Sequence, residues 1–252
     1  MKTQKVKITI RKNNFSRKTK EEMWEVYQTY YTYQREAFMQ RIAQNTHFAM
    51  YHVNGKLIGF TGIRIDRQRI EGKKRLFIYF CQSVIEQAFR GKSLIQQTGL
   101  RLIGRLAGEL LTCKAYFWAD ASTYRAYLVF AKSLQEYYPC RTSPTPTPVK
   151  SMVKYLGERH FGDTYSSITG TIHKPAHYVN DFSLSISTEK LSDPDIRFYL
   201  GANPLHNQGN DLLVMAPVSR GNVGRLLRRF LKKAWRFQPF FAWKGHTALP
   251  VM

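Results

Sequence analysis

The chain has 252 residues, a formal net charge of +22 and a hydrophobic content of 43%. The length suits one ordinary domain with an extension, or two small domains, and the apolar content excludes a wholly disordered chain. Charge on this scale implies an anionic partner (nucleic acid, an acidic membrane surface or an acidic protein) and says nothing about fold.

The three cysteines, Cys81, Cys113 and Cys140, fit neither a zinc spacing nor a CxxC pair and are expected to be reduced, buried thiols. His173 and His177 are four residues apart, but Pro175 between them breaks the helical spacing of a metal pair, so no metal site is expected. No Walker motif and no Gly-x-Ser-x-Gly elbow occurs. The Lys-rich start carries no apolar stretch of the signal-peptide kind, and no run approaches the roughly 20 apolar residues of a spanning helix. A cytoplasmic protein is expected, with attachment to the inner face of a membrane left open.

Alternation from Val6 to Ile10 predicts a strand, and Arg11 to Lys20 a basic connector. Glu21 to Tyr31 and Arg35 to Ala43 read as helices. Phe48 to Val53 and Lys56 to Ile65 flank Asn54-Gly55, whose residues tolerate the positive φ of a tight hairpin. Arg75 to Ile85 is a long strand, Ser93 to Leu111 a helix with Ser93 as N-cap, Tyr116 to Trp118 a short strand and Thr123 to Tyr137 a helix. The run Ser143 to Pro148 alternates with proline and reads as a stiff crossover within 139–148. A helix is expected over Val149 to Phe161, then strands at Ser166 to His173, Arg197 to Leu200 and Leu212 to Met215. Two regions follow from this pattern: a core over 1–218 and a cationic extension over 219–252.

The order strand, two helices, hairpin, long strand, loop, helix, strand, helix resembles the GNAT N-acetyltransferase superfamily over Lys5 to Tyr138. The stretch Ile85 to Ile95, with Arg90-Gly91-Lys92-Ser93 between a strand and a helix, is similar to that family's loop Arg/Gln-x-x-Gly-x-Gly/Ala. Such a loop offers converging backbone N–H groups and a helix N-terminus to the pyrophosphate of coenzyme A. The resemblance implies an α/β fold with a mixed, mostly antiparallel sheet flanked by helices. It also implies donor contacts from Ile85, Gln87, Arg90, Gly91, Lys92 and Ser93. The family's leaving thiolate is often protonated by a tyrosine on the helix after the fifth strand. Here Phe130 falls at that place, and Tyr124 and Tyr127 lie about one turn away. Glu86 and Asp120, near the ends of the two central strands, are the carboxylates able to act as general base. The chain departs from the family at Ser93, Ile95 and Phe130.

From Asn222 to Phe237 the pattern is that of an amphipathic helix, with Asn222 as N-cap. Val223, Leu226, Leu227, Phe230 and Leu231 share one side, and Arg225, Arg228, Arg229, Lys232, Lys233 and Arg236 cover the other. With Trp235 and the aromatics beyond it, this is the composition of a helix lying on an anionic membrane surface. It is equally that of a helix docked on the core; an acidic carrier protein or a nucleic acid would also meet its charge.

Two functions follow as expectations. The first is an acyltransferase that moves an acyl group from a thioester, on coenzyme A or an acyl carrier protein, to an amine or hydroxyl. The second is a GNAT-fold protein without catalysis that binds anionic lipid or nucleic acid, favoured by Ile95 and Phe130.

Overall fold

The computed structural model describes residues 4–174, 178–181 and 185–235, with side chains in the last segment through 231. β1 (Lys7–Lys12) leads into α1 (Arg17–Gln28) and the short β2 (Tyr31–Thr32), followed by α2 (Arg35–Ala43). The sheet continues through β3 (His47–Val53), β4 (Lys56–Ile70) and β5 (Lys73–Ile85). After the loop come α3 (Leu94–Arg105), α4 (Ala107–Leu110), β6 (Lys114–Ala121) and α5 (Tyr124–Ala131). The second half holds α6 (Thr147–Phe161), β7 (Tyr165–Ser166), β8 (Thr171–His173), β9 (Tyr178–Val179), α7 (Pro194–Ala202), β10 (Asn210–Pro217) and α8 (Arg220–Trp235).

Eight strands form one sheet in the order β1-β3-β4-β5-β6-β10-β8-β7, and β2 pairs with β9 apart from it. Every adjacent pair described is antiparallel except β5 with β6, which runs parallel through the α3 crossover. The hairpin turn is as the sequence predicts, with Asn54 at φ 50° and Gly55 at φ 84°.

Alternation sorts the strands' side chains onto two faces. On one, Ile78, Phe80, Phe117 and Ala119 pack with Leu94 and Leu102 of α3, Tyr127 and Phe130 of α5 and Leu226 of α8. On the other, Phe77, Tyr79, Trp118 and Met215 meet Met152 and Leu156 of α6, with Trp118 stacked on Tyr79 at 4.0 Å between centroids. Toward β3 that face carries Phe48, Met50 and Phe60 against Met23, Tyr27, Phe38 and Ile42 of α1 and α2. Burying each such side chain contributes about 1.5–3 kcal/mol.

Several sequence expectations are corrected. Arg197 to Leu200 is not a strand but part of α7: Asp193 accepts a hydrogen bond from Asp195 N, and Pro194 occupies the first turn. That Asp-Pro start is a helix signal that outweighs the short apolar run. α1 begins inside the expected basic connector because Ser16 caps it through Thr19 N. The helix expected over Ser93 to Leu111 breaks at Leu106 into α3 and α4, and α5 ends at Ala131, short of Tyr137. Ser166 to His173 divides into β7 and β8 around a turn.

Asn222 is not the N-cap of α8 but lies within it. Ser219 Oγ accepts from Asn222 N at 3.2 Å instead. The Asn222 side chain accepts from Gln135 N (2.7 Å) and Glu136 N (2.9 Å) and donates to Glu136 O and Pro217 O, both at 2.8 Å. It thereby ties the start of α8 to the loop after α5 and to the end of β10. His177, Arg236, Phe237, Phe240, Phe241 and Trp243 lie outside the described residues, as do the side chains of Lys232, Lys233 and Trp235.

Candidate active site

The parallel ladder of β5 and β6 ends at the pair Phe80–Ala119. Beyond it the two strands part, and no described strand closes the gap. The edge of β5 is further distorted there. Gly62 faces Cys81 and Phe60 faces Val84, so Gln82 and Ser83 oppose the single residue Thr61, a bulge in which Gln82 takes φ 38°. A bulge leaves one residue outside the ladder and redirects the strand. Asn45 Nδ2 holds the Gln82 side chain at 2.7 Å, and Tyr31 Oη donates to Ser83 O at 3.3 Å.

From this gap a groove of about 460 Å³ runs between the loop after β5, the start of α3 and one side of α5. Ile85, Arg90, Gly91, Lys92 and Ser93 line it. Gly91 has φ 74° and Ser93 φ 57°, so the loop turns twice through left-handed backbone before α3 starts. This explains why a glycine is usual where Ser93 stands. Ser93 makes no side-chain cap, contrary to expectation, because its left-handed backbone departs from the extended geometry of a capping serine. Arg90 Nε donates to Ile85 O at 2.9 Å, its guanidinium lies 4.7 Å from the centre of the Tyr30 ring, and it is ion-paired with Asp181. Lys92, Arg125, Lys132 and Arg229 add positive charge along the groove. Gln87 sits outside it, with its backbone N–H bonded to Tyr30 Oη at 3.1 Å.

A second cavity, of about 470 Å³, adjoins the groove at Thr123, Val179 and Asp181 and is also lined by Tyr124 and Asp211. Tyr124 follows Thr123, which caps α5 through Ala126 N. Burial acts to raise the Tyr124 phenol, but hydrogen bonds and positive charge from Lys190 and Arg125 bring it below its ordinary value. Tyr127, by contrast, donates to Pro139 O at 3.2 Å and packs against Tyr199 and Phe198. Burial pushes its phenol up, and it lines none of the cavities at the strand gap. Glu86 turns to Lys56 at 3.1 Å and lines none of them either.

Asp120 is buried at the end of β6, ion-paired with Lys174 and 3.7 Å from Arg41. Lys174 is also paired with Asp211 of β10, so one ammonium bridges two carboxylates. Burial acts to raise Asp120, and Lys174 and Arg41 overcome that, leaving it below the usual carboxylate value. Asp211, more completely enclosed, is raised by burial to about 6; the negative charge of Asp120 adds to this and Lys174 opposes it. The sequence reading missed Arg41, Lys174 and Asp211. They are distant in the chain, and no local motif joins them. No cluster able to hold a metal ion occurs among the described residues.

α8 carries Arg225, Arg228 and Arg229 on its exposed side, and Arg229 donates to Lys132 O at 2.6 Å. Leu226 is buried, while Leu227 and Leu231 are 47% and 68% exposed. No helix described is long and apolar enough to cross a membrane.

No model of a protein family matches the chain, and no curated protein matches it in sequence. Among solved structures it is similar to the ribosomal-protein-S18-alanine N-acetyltransferase of Escherichia coli, with 9% identity and a TM-score of 0.42 over 84% of this chain and 95% of that one. An aminoglycoside acetyltransferase from an uncultured soil metagenomic sample aligns at 11% identity and TM-score 0.39, over 57% of this chain and 99% of that one. A probable N-acyltransferase from Enterococcus faecalis aligns at 10% identity and TM-score 0.37, over 53% of this chain but only 33% of its own length. Likeness this loose carries no weight for activity or site. The chain's own mixed, mostly antiparallel sheet flanked by helices, with one parallel pair among the described strands, is the α/β architecture that the GNAT resemblance implied.

Proposed function

We propose that the protein is an acyltransferase that takes an acyl group from a thioester, on coenzyme A or an acyl carrier protein, to an amine or hydroxyl. The observation that carries this is the cationic groove that runs from the N-terminus of α3 into the gap between β5 and β6. Backbone N–H groups and basic side chains at its outer end suit phosphate, and the gap receives the thioester. An acceptor in the adjoining cavity attacks the carbonyl carbon, the C–S bond breaks, and the acyl group leaves on the acceptor. In this reading Asp211, whose carboxyl pKa is raised by burial, takes the acceptor's proton, and Tyr124, which lines the same adjoining cavity, gives one to the thiolate. Asp120 then keeps Lys174 and Arg41 in position rather than serving as base.

Thermal unfolding with a donor panel tests this: coenzyme A, acetyl-CoA, a longer acyl-CoA and a loaded acyl carrier protein. A ligand at 100 times its Kd stabilises by about 2.7 kcal/mol, a clear rise in midpoint. No rise with any of them overturns the reading.

A second reading rests on Leu227 and Leu231, exposed beside Arg228 on α8. It holds that the helix meets an anionic membrane surface while the domain works in the water phase. Sedimentation with vesicles tests this. Binding to phosphatidylglycerol vesicles that vanishes with phosphatidylcholine supports it, and equal recovery in both supernatants refutes it.

A further inference from the structure

The gap between β5 and β6 does not end at the groove. It opens into a cavity of about 110 Å³ that passes through the sheet to the side of α3, α5 and α8. Ser83, Ile95, Thr123, Ala126 and Val129 line both spaces, so the two adjoin. The inner end is walled by Phe80, Gly99, Phe117, Phe130, Leu134 and Leu226. The polar side chains Gln96 and Ser133 in this wall bond each other at 3.0 Å, and the charged Arg41, Asp120 and Lys174 line the opposite end, so the apolar surface belongs to the inner end of the cavity.

Gly99 is the residue that keeps this space. A Cβ placed there would meet Phe117 at 3.6 Å and Phe80 at 3.9 Å, ordinary contact distances, so a methyl group fits and a larger side chain grows into the cavity. Phe130 forms part of the end wall, where the family resemblance led one to expect a tyrosine near the leaving thiolate. An apolar phenyl group there suits a hydrocarbon chain. An apolar cavity of roughly 150 Å³ takes up benzene, so on that scale the whole of this one, charged end included, holds at most about four carbons.

We infer that this cavity receives the acyl chain of the donor, and that the donor is a thioester with about four carbons beyond the carbonyl rather than an acetyl thioester. This rests on the donor reading above. The carbonyl lies in the strand gap at the bulge of Gln82 and Ser83. The chain points inward between α3 and α5, away from the cavity of Tyr124 and Asp211 that serves the acceptor.

The test is the affinity of coenzyme A and of acetyl-, butyryl-, hexanoyl-, octanoyl- and dodecanoyl-CoA for the full chain, measured by calorimetry. Each methylene buried should tighten binding about fourfold, with the gain ending near hexanoyl. Gly99→Leu fills the cavity and should erase the gain while leaving coenzyme A affinity unchanged. Phe130→Ala lengthens it and should move the limit toward octanoyl. Equal affinity for acetyl- and hexanoyl-CoA, with coenzyme A itself bound, overturns the chain site and leaves the donor groove standing. A gain that neither substitution alters likewise overturns it, because the chain then lies elsewhere. Failure of every coenzyme A species, and of an acyl carrier protein loaded with a hexanoyl chain, to bind overturns the donor reading and this inference together.

Discussion

Phe80 of β5 and Ala119 of β6 are the last partners of the one parallel ladder among the described strands. Every feature of the candidate site follows from that parting. The groove enters it, the apolar cavity passes through it, and the buried ion cluster closes its other side.

Arg90 and Lys92 stand where the groove meets the start of α3. Replacing both with alanine should weaken coenzyme A binding about tenfold to a hundredfold, in keeping with the loss of charge-assisted hydrogen bonds. Calorimetry at two salt concentrations checks it, and the difference from the parent should shrink in high salt.

Tyr124 and Tyr127 are neighbours on α5 with opposite surroundings. Tyr124→Phe should lower kcat for thiol release on the order of a hundredfold with little change in donor affinity. Tyr127→Phe should leave kcat alone and cost about 1 kcal/mol of stability, the hydrogen bond to Pro139 O. Equal turnover by the Tyr124 variant and the parent would remove the acid role.

Lys174 holds the two carboxylates of Asp120 and Asp211 together. Lys174→Met leaves them enclosed with less compensating charge and should destabilise the fold by about 3–5 kcal/mol. Adding Asp211→Leu should restore part of the loss, read as a recovery in denaturant midpoint.

Asp211 gives that cluster a pH dependence. Its folded pKa, about 6, lies above its unfolded value of about 4, so the folded state holds its proton more tightly. Its ionisation therefore disfavours folding: stability falls as pH rises from about 4 to 6 and is level above that. The parent should lose stability relative to Asp211→Asn across this window. Asp120, held below its usual value, acts with the opposite sign and at lower pH. Unfolding midpoints of parent and variant at a series of pH values test the sign. If the Asp211 carboxylate is the base, thiol release rises around the folded value, from about pH 5 to 7.

Asn222 satisfies two N–H groups and two carbonyls where α8 meets the core. Asn222→Ala should cost about 3 kcal/mol, since buried partners lose their bonds. The same change should raise hydrogen exchange at Gln135 and Glu136.

Much of the sheet was legible in sequence because local order writes it there. Alternation marked β1, β3, β4 and β5, Asn54-Gly55 marked the hairpin, and helical spacing marked α2 and α8. The loop from Arg90 to Ser93 was legible too, since a short basic turn between a strand and a helix is a contiguous signal. α7 was misread because its three apolar residues Phe198, Tyr199 and Leu200 look the same in a strand, and the Asp193-Pro194 start that settles it lies outside that stretch.

What the sequence by itself determined was the order of elements, the cationic loop before α3 and the charge of α8, all properties of neighbouring residues. Only the tertiary structure brought Arg41, Asp120, Lys174 and Asp211 into one buried cluster, separated Tyr124 from Tyr127, and opened the cavity at Gly99. Those depend on where β5 leaves β6 and on which helices cover the gap. Burial and charge at a point in space are summed over residues far apart in the chain, and no local pattern records that sum.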